Sequence, residues 1–236
     1  AKGFVVRDMC DKPSNFRSTQ SLPEFLKGCG IVAIEGVDTR ALVRHLRDNG
    51  AMKAVISTAE DGLDAIASRL ASAPGLVGHN YVGEVSTRER YVLPCEKRHS
   101  VVAYDCGIKT GILSGLCTNG CEVTVVPWDT PAQEVLDMDP DGIFLSNGPG
   151  DPMAVDAVYT QVRKLIGKKP IFGICLGHQM LSIAAGAKIE KLKYGHHGGN
   201  QPVMNLRTGS VEITAQNHGF GQVFESIGAL VPELSG

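Results

Sequence analysis

The 236-residue sequence has no surplus of charge of either sign: 23 Lys and Arg stand against 25 Asp and Glu, for a formal net charge of −2. That balance offers no general field to nucleic acid or to an anionic membrane, which points instead to small polar substrates and protein partners. No apolar stretch approaches the roughly 20 residues that span a bilayer. The N-terminus also lacks a charged segment followed by an apolar signal core. Seven cysteines form an odd set without a CxxC pair, in a chain too large to depend on disulfides. The expectation is a reducing, cytoplasmic setting, with Cys10, Cys29, Cys95, Cys106, Cys117 and Cys121 acting as small buried hydrophobes. The glycine-rich stretch "SNGPGDP" (146–152) matches neither the Walker nor the dinucleotide pattern, so no nucleotide phosphate is assigned to it.

What is present suits one large or two small domains with a sizeable core: 43% of residues are hydrophobic and 20% charged. The opening "AKGFVVRD" starts at Ala1 and reads like the middle of a strand, which suggests an upstream portion. From 1 to 98 the texture is mixed. Asp38 and Thr39 are cap candidates for a helix ending near Asn49 and Gly50. Arg40, Arg44 and Arg47 share one face of it, a solvated face first and a docking face second. The polar stretch 86–99, "STRERYVLPCEKRH", is read as a linker.

From 99 to 236 the pattern is regular. "VVAYD" (101–105), "EVTVVP" (122–127), "GIFLS" (142–146) and "PIFGI" (170–174) are short continuous apolar runs, the mark of strands buried on both faces. Amphipathic stretches at 108–119, 131–136 and 153–166 alternate with them. Such alternation predicts a mostly parallel α/β sheet with helices on both faces, and ligands beyond the carboxyl ends of its strands.

The chemistry concentrates there. In "GICLGHQ" (173–179), Cys175 directly follows an apolar run and precedes a helix-like stretch at 177–185. A strand-to-helix elbow would lift its side chain out of the sheet, with Gly173 and Gly177 allowing close backbone approach. The helix N-terminus would favour thiolate and offer N–H groups to an oxyanion, so Cys175 is the candidate nucleophile. "SNGPGDP" (146–152) can expose backbone N–H groups at Gly148 and Gly150, at the same end of the sheet. "AQNHGF" (215–220) follows the alternating strand "SVEITA" and places Asn217 and His218 in a turn. "GHHGGN" (195–200) invites a metal, but adjacent histidines seldom ligate one ion and no cysteine or carboxylate stands at ligand spacing, so no metal is assigned.

Together "FGICLGHQ", "LSNGPGDP", "KYGHHGGNQPV" and "ITAQNHGF" resemble the class I, triad-type glutamine amidotransferases. More narrowly, "SNFRSTQSLPEFLK", "GIVAIEGVDTRALVRHLRDNGAMKAVIS" and "VVAYDCGIKTGIL" are similar to the family of small, glutamine-hydrolysing subunits of carbamoyl-phosphate synthases. The resemblance implies a flavodoxin-like domain at 99–236, lacking its C-terminal part, after a partial N-terminal α/β domain at 1–98. It implies that Cys175 attacks the glutamine amide, that the N–H groups of Leu176 and Gly148 form the oxyanion hole, and that Gly148, Gly150, Leu176, Gln179, Asn217, Gly219 and Phe220 hold glutamine. His178 is structural in that family. The partner implied is a large synthetase subunit that makes carbamoyl phosphate for arginine and pyrimidine synthesis. ATP and magnesium belong on that subunit, and no cofactor is expected on this one.

The family's base histidine and orienting glutamate come from a "GHPE"-like motif. None of the seven histidines here (His45, His79, His99, His178, His196, His197, His218) has a glutamate two positions on. The general base and its carboxylate are therefore expected outside these residues, and weak activity of the chain alone with them. The competing reading is a binding or regulatory module on the same fold, with a cysteine but no base.

Overall fold

The computed structural model describes residues 2–59, 62–96, 98–223 and 225–226. The chain divides into two compact units, Ala1–Pro74 and Gly75–Gly236. In the first, β1 (Gly3–Val5) pairs in parallel with β2 (Val32–Ile34). Helix α1 (Leu22–Gly28) starts on a capping box: the Ser21 hydroxyl accepts from the Glu24 N–H, and the Glu24 carboxylate accepts from the Ser21 N–H. Helix α2 (Thr39–Asn49) starts where expected, with Asp38 accepting from the Ala41 N–H at 2.9 Å. Arg40, Arg44 and Arg47 are exposed along it. Helix α3 (Leu63–Ser72) completes the unit.

The second unit runs α4 (Val82–Val85), β3 (Tyr91–Leu93), β4 (His99–Asp105), α5 (Thr110–Thr118), β5 (Cys121–Pro127), α6 (Ala132–Asp137), β6 (Gly142–Leu145), α7 (Asp156–Leu165), β7 (Ile171–Gly173), α8 (Leu176–Ala184), β8 (Ile189–Met204) and β9 (Val211–Gln222). The sheet order is β3-β5-β4-β6-β7, parallel except for β3. Side chains alternate across it. Val102, Tyr104, Ile143 and Leu145 meet Val135 of α6, Val158, Val162 and Leu165 of α7, and Met180 of α8 on one face. Ala103, Val123, Val125 and Phe144 meet Leu113 of α5 on the other. This is the α/β sheet with helices on both faces that the apolar runs predict. Among the described residues no helix is long and apolar enough to cross a membrane.

Four expectations change. Stretch 86–99 is no free linker: β3 joins the sheet edge through antiparallel pairs such as Val92 with Thr124. Cys95, beyond β3, is disulfide-bonded to Cys117 of α5, because the fold brings their Cα atoms to 5.4 Å; Cys10 and Cys29 are exposed. Strand β7 is not buried on both faces, since it lies at the sheet edge and Phe172 is 65% exposed. Finally, Asn217 and His218 sit within β9, paired across an antiparallel ribbon with His197 and His196 of β8.

Candidate active site

Cys175 occupies the junction of β7 and α8 with φ 53° and ψ −110°. A non-glycine residue at positive φ is strained, and the surroundings show why it persists. A Cβ on Gly173 would come within 2.6 Å of the Gly177 carbonyl carbon, and a Cβ on Gly177 would strike the Leu145 carbonyl of β6. Strand, elbow and helix thus pack backbone against backbone, which glycine alone permits at these two positions. The chain bends within one residue and leaves the thiol at the carboxyl end of the sheet.

Loop 146–152 reaches the same end, stitched down by its own polar side chains. Ser146 accepts from the Cys106 N–H at 2.9 Å and donates to the Asn147 carbonyl. Asn147 accepts from the Lys109 N–H and donates to the Gly107 carbonyl. The buried Asp151 carboxylate accepts from the N–H groups of Gly78 and Met153, both at 2.9 Å. Gly148 has no room for a side chain, because a Cβ there would strike the Cys106 carbonyl and lie 2.7 Å from Leu176 Cδ2.

A cavity of about 250 Å³ opens where these parts meet, lined by Gly148, Gly150, Cys175, Gln179, Asn217, Gly219 and Phe220, and by Leu76, Pro149, His197 and His218. Of the residues singled out in the sequence, Leu176 lies just behind the lining, with its side chain in the core. Gln179 is buried and its Nε2 donates to the Phe220 carbonyl at 2.7 Å, tying α8 to β9. The Cys175 thiol donates to the Asn217 carbonyl at 3.7 Å. Leu76 carries no sequence signal for a role, since only the fold brings it here.

Electrostatics depart from the expectation of a thiolate. Burial pushes the Cys175 thiol above its ordinary range, and the Leu176 N–H and the Lys109 ammonium pull back without cancelling it. The helix N-terminus favours thiolate, but a half-buried sulfur loses more hydration than one N–H and a neighbouring cation restore. Among the described residues no histidine nitrogen is hydrogen-bonded to the sulfur. Burial, and after it the nearby His218, push the His178 imidazole below its ordinary range. The arrangement can present a cysteine to a small polar ligand beside backbone N–H groups, with proton removal as the unmet need.

Two families of known proteins match stretches of the chain. The family described as Glutamine amidotransferase class-I matches residues 102–228. The family described as Carbamoyl-phosphate synthase small chain, CPSase domain, matches residues 1–56. The carbamoyl phosphate synthase small chain of Syntrophotalea carbinolica is 50% identical over 239 aligned residues, covering 95% of this chain and 64% of that protein. The protein of the same name from Chlorobaculum tepidum is 51% identical over 232 residues, covering 96% and 63%. The chain thus spans a little under two thirds of the length of these relatives.

Proposed function

Since this chain belongs to the class-I glutamine amidotransferase family, we propose that it hydrolyses the side-chain amide of glutamine through Cys175, as part of a carbamoyl phosphate synthase small chain. The Cys175 sulfur adds to the amide carbonyl carbon, and the Leu176 and Gly148 N–H groups receive the resulting oxyanion. Collapse breaks the carbon–nitrogen bond, and the nitrogen leaves as ammonia after taking up a proton. A glutamyl thioester remains. Water hydrolyses it to glutamate and restores the thiol. Gly150, Asn217, Gly219 and Phe220 hold the amino acid, and Gln179 does so by fixing Phe220. The ammonia passes to a large synthetase subunit that forms carbamoyl phosphate, for arginine and pyrimidine synthesis.

One observation carries this reading: residues from loop 146–152, the β7–α8 elbow and β9 line a single cavity around the thiol. The sequence relationship at 1–56 supports the narrower assignment, with the stretch around 1–98 as the small-chain domain and 99–236 as the amidotransferase domain. The cytoplasm is its proposed setting, because the chemistry needs Cys175 reduced; the Cys95–Cys117 disulfide is the one observation that argues against it. A second reading, a binding module without turnover, draws support from the raised thiol and from the absence of a histidine bonded to the sulfur among the described residues.

The test is carbamoyl phosphate formation by this protein assembled with a carbamoyl phosphate synthase large subunit. Cys175→Ala is expected to abolish the glutamine-dependent reaction and leave the ammonia-dependent one intact. Equal loss of both, or retention of the glutamine-dependent rate, contradicts the assignment. Ammonia-dependent formation alone, in an assembly whose small chain also carries a histidine and glutamate of the expected kind, selects the binding module.

A further inference from the structure

His197 belongs to none of the roles above, yet it lines the cavity and faces Asn217 across the ribbon. Its Nδ1 lies 2.7 Å from Asn217 Oδ1, and its Nε2 lies 3.0 Å from the Tyr194 carbonyl. Gly195, at φ 74°, makes this possible: a Cβ there would strike the His218 carbonyl and come within 2.9 Å of His197 Nε2. The exposed imidazole is therefore tethered at both nitrogens, by the Tyr194 carbonyl on one side and by Asn217 on the other.

That pose sets a hydrogen-bonding condition. The Tyr194 carbonyl can only accept, so Nε2 must carry a proton. In the neutral ring Nδ1 is then an acceptor, and it requires an N–H opposite. The Asn217 amide meets the requirement by turning its Nδ2 toward the ring, since oxygen and nitrogen of an amide exchange places by a half-turn. Its carbonyl oxygen then becomes the other end. That end has no partner among the described residues, while Asn217 lines the cavity. A carbonyl oxygen held there is an acceptor for an ammonium group.

We propose that His197 is a positioning residue that orients the Asn217 amide, so that its carbonyl oxygen accepts from the α-ammonium of the bound amino acid. The inference rests on the proposed glutamine site at Cys175. It makes the cavity selective for an α-amino acid rather than for any small amide.

The test measures labelling of Cys175 by a chloroketone analogue of glutamine and, separately, by iodoacetamide, which needs only an accessible thiol. Wild type, His197→Ala, His197→Gln, Asn217→Ala and the double alanine variant are compared. His197→Ala is expected to raise the half-saturating chloroketone concentration about tenfold, equivalent to about 1.4 kcal/mol, with iodoacetamide labelling unchanged. His197→Gln, whose amide oxygen can accept as Nδ1 does, recovers most of the loss. In the Asn217→Ala background, His197→Ala has no further effect, because the two act as one unit. Equal slowing of both reagents, additive effects in the double variant, or no slowing overturns the proposal. If wild type is not labelled at Cys175, the glutamine site itself is wrong and this inference goes with it. If wild type is labelled there and His197→Ala labels equally well, only the role of His197 is lost.

Discussion

Gly177→Ala is the sharpest structural perturbation of the elbow. The added carbon would strike the Leu145 carbonyl oxygen and lie 2.7 Å from Leu145 Cβ, where carbon–carbon contacts ordinarily sit at about 3.5–4.0 Å. Relief requires α8 and β6 to separate by roughly 1 Å. Neither can yield easily. Strand β6 is hydrogen-bonded between β4 and β7, and α8 packs Leu176 and Met180 into the core. Overpacking of this kind costs about 1–3 kcal/mol, and a backbone neighbour argues for the upper end. For a unit of this size that corresponds to a fall of about 6–12 °C in Tm. A displacement of the elbow by about 1 Å should also slow chloroketone labelling of Cys175 up to about 100-fold. Calorimetry and timed labelling by mass spectrometry measure both. A variant with unchanged Tm and unchanged labelling would refute the close-packed elbow.

Further predictions concern protons and loop anchoring. Because burial raises the Cys175 thiol, its alkylation rate should rise with pH to an inflection above the ordinary cysteine value of about 8.5; Lys109→Met, which removes a cation that favours thiolate, should move it higher still. An inflection at or below the ordinary value contradicts this. Burial and the neighbouring Asp105 push the Cys106 thiol up to about 12. The folded chain then binds more protons than the unfolded one between about pH 8.5 and 12, so stability should fall there by up to about 1.4 kcal/mol per pH unit. Cys106→Ala should flatten that slope in urea titrations, and an unchanged slope rejects the buried thiol. Asp151→Ala strips two N–H groups of their acceptor and should lower stability by about 2–3 kcal/mol in urea; a loss under about 0.5 kcal/mol would show that the loop is held otherwise.

Much of the sheet was legible because strands buried on both sides read as unbroken apolar runs. The runs at 101–105, 122–127 and 142–146 fall within two residues of β4, β5 and β6. Asp38 marked α2 by the same local chemistry that caps it. The Ser21 and Glu24 pair that caps α1 is equally visible in the sequence but lies outside any periodic apolar run. The β8–β9 ribbon was half hidden: "GHHGGN" has the composition of a loop, and its pairing depends on irregularities between 191 and 196 and between 198 and 201. The elbow was readable from two glycines and an apolar run. The state of its thiol was not, since burial is a property of the assembled fold.

The central claim is that Cys175 is the nucleophile of a glutamine site. It is tested most directly by treating the chain with a glutamine-like chloroketone, with and without excess glutamine, and mapping the modified residue by mass spectrometry. The expected result is modification at Cys175 alone, slowed by glutamine. Modification at the exposed Cys10 or Cys29, or labelling of Cys175 that glutamine does not slow, would contradict it.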